Sequence, residues 1–139
     1  MALRRDAKIE LLKRVPLFSG CSKGELRELA KSADELDIRE GTVLTREGRQ
    51  GREFFVLVDG TARVTKAGKK VADLGAGDWF GEIALITNSP RTATVTATSP
   101  GDILVITDRR FHSVVETMPS IALKVLATVG DRLTENARS

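Results

Sequence analysis

Gly77-Asp78-Trp79-Phe80-Gly81-Glu82-Ile83-Ala84-Leu85-Ile86-Thr87-Asn88-Ser89-Pro90-Arg91-Thr92-Ala93-Thr94 is a run in which the backbone must change state every few residues. Gly77 and Gly81 flank the aromatic pair Trp79-Phe80 and lead into Glu82. Glu82 to Ile86 predicts one short helical turn, with a leading carboxylate that the helix dipole favours. Asn88-Ser89-Pro90 ends that turn, because Pro90 biases Ser89 away from helical backbone. Arg91 follows at once. The alternation of Thr92, Thr94 and Thr96 with Ala93, Val95 and Ala97 then predicts a strand.

The chemistry of this arrangement points to a particular ligand shape. A glycine-led helix start offers unpaired N–H groups, which suit a phosphate. Arg91 adds a guanidinium that can hold two phosphate oxygens in a fork. Glu82, an acceptor when ionised, suits hydroxyl donors rather than a phosphate. One phosphate next to a sugar hydroxyl would satisfy all three. The competing reading is a buried ion pair of Glu82 with Arg91 that closes a surface loop and binds nothing, and isolated pairs are common and often contribute little.

Outward from this run, Asp6 to Arg14 predicts a helix stopped by Pro16, and Val15-Pro16-Leu17-Phe18 reads as an apolar plug. Ser22 with Glu25 three residues on makes a capping box for a helix over Lys23 to Ser32, with Leu26, Leu29 and Ala30 inward. From Ala33 the pattern changes to short strands punctuated by glycine. They are expected over Ala33 to Ile38, Thr42 to Thr45, Glu53 to Val58, Thr61 to Thr65, Val71 to Leu74, Thr92 to Thr98 and Asp102 to Ile106. Asp59-Gly60 predicts a hairpin between the third and fourth of these. Arg39 to Gly41, Glu47 to Gly51 and Lys66 to Lys70 read as turns and loops, and Arg49, Lys69 and Lys70 as solvated charge. Evenly spaced short strands of this kind suggest a sandwich or jelly roll. Asp108 is expected to cap a helix over Arg109 to Thr117. Pro119 breaks it, and a last helix over Ile121 to Leu133 carries Leu123, Leu126, Val129 and Leu133 near heptad spacing. That stripe serves either a second copy or this chain's own sheet.

The bulk numbers exclude several classes. The chain has 139 residues with 41% apolar and 29% charged, enough for one domain with a core. Its net charge of +3 comes from dispersed residues, which argues against nucleic-acid binding by this chain alone. One cysteine, Cys21, and one histidine, His112, allow no internal disulfide and no usual metal set, which also excludes a metal-holding small β-barrel. No secretory leader or membrane span is legible, so a cytoplasmic protein is expected.

Phe80-Gly81-Glu82-Ile83-Ala84-Leu85 together with Pro90-Arg91-Thr92-Ala93-Thr94-Val95 closely resembles the phosphate-binding cassette of the cyclic-nucleotide-binding domain family. The Pro16-Leu17-Phe18 plug and the glycines Gly41, Gly60 and Gly81 extend the resemblance along the chain. It implies a mainly β fold with flanking helices, an eight-stranded antiparallel, jelly-roll-like β-roll. The chain would be one domain over 1–139, with N-terminal helices over 6–32, the roll over 33–107, the cassette over 77–95, and two C-terminal hinge and lid helices over 108–136. It further implies ligand contacts at Gly81, Glu82, Ile83, Ala84, Arg91, Thr92 and Ala93. Glu82 would take the ribose 2′-hydroxyl and Arg91 the cyclic phosphate, with backbone amides near Ala84 and at Thr92 and Ala93 completing the cradle. The implied ligand is cAMP, with cGMP the alternative, since a residue such as Thr92 occurs with either base. The purine cap is open among Thr128, Asp131, Arg132 and Thr134. The resemblance implies a non-enzymatic, metal-free sensor that relays binding through its helices to a homodimer partner on the last helix or to an effector domain or protein. The alternatives are the sensor half of a DNA-binding transcription regulator and a ligand-free protein-interaction module.

Overall fold

A computed structural model describes residues 5–81, Ala84 and 88–138, with the backbone alone at 5–7, 128–129 and 132–138. The unbroken apolar run Phe54-Phe55-Val56-Leu57 explains how its layers are arranged. It lies on β3 (Glu53–Asp59), beside the equally apolar β8 (Gly101–Thr107). Side chains alternate across a strand, so a run without polar breaks must be covered on both faces. Phe55, Leu57, Ile103 and Val105 point between two sheets, where Ile38, Ala62, Phe80, Val95 and Ala97 join them. Phe54, Val56, Leu104 and Ile106 point the other way, into a second core built by the helices.

The strands form two antiparallel four-stranded sheets. One has the order β1 (Asp34–Ile38), β8, β3, β6 (Trp79–Phe80); the other has β2 (Val43–Thr45), β7 (Thr94–Ala97), β4 (Ala62–Lys66), β5 (Lys69–Leu74). This is the antiparallel roll expected from the sequence. The strand the periodicity missed is β6, whose two residues are too few to show a period.

The predicted Asp59-Gly60 hairpin is wrong. β3 and β4 belong to different sheets, and Asp59-Gly60 is the corner where the chain crosses from one to the other. The β7-to-β8 connection crosses back beside it. Thr98 N–H donates to Thr61 O at 2.9 Å, Thr61 N–H donates to Ser99 Oγ at 2.9 Å, and the Thr61 and Thr98 hydroxyls lie 2.7 Å apart. Gly60 has φ +95°, and a Cβ there would meet Pro100 O at 2.8 Å, so the stacked corners leave no room for a side chain. The real hairpin is between β4 and β5, at Ala67 (φ 51°) and Gly68 (φ 79°).

Helices α1 (Arg5–Arg14) and α2 (Lys23–Ser32), with a 3-10 turn at Pro16–Phe18 between them, cover one side of the β3/β8 pair. The capping box forms as predicted: Glu25 N–H donates to Ser22 Oγ at 3.1 Å, and Ser22 N–H donates to Glu25 Oε1 at 2.8 Å. Helices α3 (Asp108–Thr117) and α4 (Pro119–Arg138) pack into the same core through Phe111, Val114, Ile121 and Val125. Phe111 stacks on Phe54 with centroids 4.8 Å apart. Lys8 caps α2 through Ala33 O at 2.9 Å, and Arg110 reaches Ser32 O at 3.1 Å.

Two expectations about these helices change. Asp108 is the first residue of α3, not its cap. The cap is Thr107, which makes no side-chain capping bond. Pro119 opens α4 rather than merely preceding it, which suits a residue that has no N–H to satisfy at a first helical position. Ile121 and Val125 are the α4 residues turned to the core, whereas Leu123 and Leu126 are 68% and 60% exposed. The intrachain alternative for those two leucines therefore fails. Val129 and Leu133 fall outside the described side chains.

On the outer face of the first sheet, Asp102 lies opposite Asp37 on one side and Asp59 on the other. The Asp102 carboxyl is pushed up by its hydrogen bond with Asp37, then by desolvation and by the charges of Asp37, Glu35 and Asp59, while that same bond lowers Asp37. A raised carboxyl binds its proton more tightly folded than unfolded. Its contribution is therefore present at low pH and lost as pH rises through the folded value. Asp102→Asn should accordingly raise the melting temperature at neutral pH by about 1–3 °C, a small gain because the site faces solvent. The gain should vanish as the pH falls to about 4, the ordinary aspartate range. Thermal melts of both proteins across that range check it.

Candidate functional site

The predicted strand after Arg91 begins later than expected, at Thr94, and the segment before it lies against the loop over 45–51 instead. Arg91 N–H donates to Arg49 O at 2.9 Å, and Gly48 N–H returns a bond to Arg91 O at 2.9 Å. Two residues on, Thr45 Oγ1 donates to Ala93 O at 3.0 Å, and Glu47 N–H donates to Thr94 Oγ1 at 3.0 Å. The backbone on both sides of Arg91 is thus fixed before its side chain is considered.

The Arg91 side chain is buried, at 5% exposure. Nη1 donates to Gly81 O at 2.9 Å, and Nη2 donates to Glu53 O at 2.8 Å. The Glu53 carboxylate lies 3.5 Å from Nη2, and the guanidinium carbon sits 5.8 Å from the centre of the Phe55 ring. Burying a cation is costly unless acceptors meet it, and here two carbonyls, a carboxylate and a ring face do so. Two glycines make the approach possible. Gly81 has φ +96°, and a Cβ there would lie 2.9 Å from Glu53 O and 3.0 Å from Arg91 Nη1. A Cβ on Gly51 would overlap the Arg91 guanidinium.

The guanidinium lines a cleft of about 600 Å³, together with Val43, Leu44, Thr45, Arg46, Arg49, Gln50, Gly51 and Glu53. Val43 and Leu44 of β2 are its apolar members. Its charged members are Arg46, Arg49, Glu53 and Arg91. A cleft of this size and mixed lining suits a small polar ligand with one flat or apolar part.

Of the residues singled out in the sequence, the fold brings Gly81 and Arg91 together. Glu82 and Ile83 lie outside the described residues, as does most of the predicted helical turn. Ala84 is helical and buried at 5% exposure. Its carbonyl accepts from Ser89 N–H at 3.2 Å, and Asn88 between them has φ 53°. That φ lies in the left-handed region, which Asn tolerates better than most residues because its side chain can bond locally. Thr92 and Ala93 are half-buried and bend the chain beside Arg91. Of the cap candidates on α4, Asp131 is exposed, and the side chains of Thr128, Arg132 and Thr134 are not among those described.

Sequence reading missed Gly51, Glu53 and Phe55. Glu53 contacts Arg91 across 38 residues, and no local pattern announces that meeting. The same segment also touches the helices. Asp108 N–H donates to Arg52 O at 2.6 Å, Arg52 Nη1 lies 3.5 Å from Asp108 Oδ2, and His112 Nδ1 lies 2.8 Å from Asp108 Oδ1. Among the described residues no three of His, Cys, Asp and Glu gather as a metal set, and no helix is long and apolar enough to cross a membrane.

Comparison with known proteins places this geometry. A family model described as "Cyclic nucleotide-binding domain" matches residues 35–118. The chain is 39% identical over 120 residues to a cAMP-dependent protein kinase regulatory subunit of Mycosarcoma maydis, covering 78% of this chain and 22% of that protein. It is 32% identical over 123 residues to a cyclic nucleotide-gated potassium channel of Rhizobium etli, covering 88% of this chain and 34% of that one. Among solved structures it is similar to cAMP-bound PfPKA-R, with a TM-score of 0.84 and 26% identity over 96% of this chain and 47% of that one. The chain thus spans about a fifth to a third of the length of these two curated relatives.

Gly51→Ala should displace the Arg91 guanidinium from its carbonyls. We expect urea unfolding of the ligand-free chain to show a loss of roughly 1–3 kcal/mol, the scale of unmade bonds to a charged group.

Proposed function

The chain belongs to the cyclic nucleotide-binding domain family, and we propose that it is a non-enzymatic receptor for cAMP, with cGMP the weaker ligand. The observation that carries this is Arg91, a buried guanidinium held at the wall of a ligand-sized cleft by two backbone carbonyls. The carbonyls hold the guanidinium at the cleft wall, so its position is set before the cyclic phosphate arrives. Gly81 and Ala84 shape the turn at the phosphate, and Thr92 and Ala93 present their backbone beside it. Glu82 and Ile83 complete the site, with Glu82 accepting from the ribose 2′-hydroxyl. The preference for cAMP rests on the similarity to cAMP-dependent kinase regulatory subunits.

The relay we propose runs through Gly51-Arg52-Glu53. Glu53 O holds the phosphate-binding arginine, and the adjacent Arg52 holds the first turn of α3 through Asp108. A ligand that pulls on Arg91 therefore moves the anchor of the C-terminal helices. A coupling of about 1–3 kcal/mol is typical of such two-state arrangements. The output surface is α4, where Leu123 and Leu126 face solvent and would meet a second copy or an effector.

Calorimetric titration tests the ligand. Saturable binding of cAMP is expected, weaker for cGMP. It should fall about tenfold or more in Arg91→Lys, where the fork is lost, and further in Arg91→Ala. Undiminished binding in Arg91→Ala would remove the phosphate role. Sedimentation tests the output: a Leu123→Glu, Leu126→Glu variant should stay monomeric at concentrations where the parent associates, and identical behaviour would remove the dimer reading.

A further inference from the structure

We propose that Glu53 is an affinity-setting residue. On this reading its carboxylate competes with the ligand's anionic group for the Arg91 guanidinium and weakens binding to a working level. The proposal rests on the reading of Arg91 as the phosphate-binding arginine.

Three observations carry it. Glu53 and Arg91 line the same cleft, and Glu53 Oε2 lies 3.5 Å from Arg91 Nη2. The carboxylate does not depend on Arg91 for its position, because Arg52 N–H donates to Oε2 at 3.0 Å and so holds it at the cleft wall. Arg91 in turn does not depend on the carboxylate for its aim, because the carbonyls of Glu53 and Gly81 take Nη2 and Nη1. The main-chain oxygen of Glu53 therefore positions the fork, while its side chain places a negative charge where an anionic ligand must come. The Glu53 side chain is 45% exposed, so solvent moderates the repulsion without abolishing it.

Glu53→Gln is the decisive variant. It keeps the shape, the backbone carbonyl and an oxygen for the Arg52 N–H, and removes only the charge. At low salt it should bind cAMP about five- to tenfold more tightly than the parent, the scale of one like charge removed within a few ångströms of the ligand. The gain should shrink at about 1 M salt, where the screening length is roughly 3 Å. A purely structural role would weaken binding or leave it alone, and would not produce a salt-dependent gain. Inorganic phosphate supplies the second probe, read as the rise in melting temperature on its addition. The rise should be larger in Glu53→Gln than in the parent and absent in Arg91→Ala.

Equal or weaker cAMP binding by a cooperatively folding Glu53→Gln variant overturns the proposal while leaving the receptor reading standing. If neither protein binds cAMP or cGMP, the receptor reading falls and the phosphate-dependent melt alone decides. A larger rise in the variant then supports the competing charge, and no difference overturns it.

Discussion

The buried guanidinium of Arg91 ties three segments of the roll together. The Arg91 guanidinium takes a carbonyl from the end of β6 and another from the start of β3, and rests over a ring of the inter-sheet core. A charge removed from water needs such partners, since an unmet one would cost several kcal/mol. The partners are main-chain atoms. Glu53 opens β3 and Gly81 follows β6 directly, so the carbonyl positions depend on the backbone of the strands rather than on side-chain rotamers. The absence of side chains at Gly51 and Gly81 is part of the same constraint, because a methyl group at either would crowd the guanidinium.

Around that point the two cores divide the labour. The inter-sheet core closes the roll and carries Phe55 and Phe80, stacked 4.9 Å apart, directly beneath the site. The second core joins N-terminal and C-terminal helices on one sheet face, so α1 and α2 pack in the same layer as α3 and α4. β3 belongs to both cores. Its first residues also supply the carbonyl for Arg91 and, one residue earlier, the contact to Asp108. The partner of the buried guanidinium and the partner of the first turn of α3 therefore sit on adjacent residues of one short piece of backbone.

Much of this was legible in the sequence, unevenly. The capping box of α2, the helix limits at Lys23–Ser32, the apolar β3 and the strand order of appearance follow from spacing and turn residues alone. The cassette named the arginine that the fold buries beside Gly81. The Asp59-Gly60 corner misled because the dipeptide specifies a tight turn but not which sheet receives the next strand. Asp108 misled by one position, since an acidic residue suits the first helical turn as well as the cap. β6 was too short to read. Glu53 looked like the edge of a buried strand and nothing more.

The helices, seven of the eight strands and the identity of the buried charged group could be read from the chain alone, because helix caps, turns and strand alternation are settled between residues a few positions apart. The chain also determined that β3 and β8 must be covered twice, because no polar residue interrupts them. What meets Arg91, the change of sheet at Gly60, and the outward turn of Leu123 and Leu126 against the inward turn of Ile121 and Val125 emerge only in the folded chain. Those outcomes depend largely on segments distant in the chain, 38 residues apart for Glu53 and Arg91 and for Thr61 and Ser99, and 108 for Pro16 and Lys124. Such meetings leave no periodic trace in the chain, because the geometry that selects them exists only after the sheets have paired.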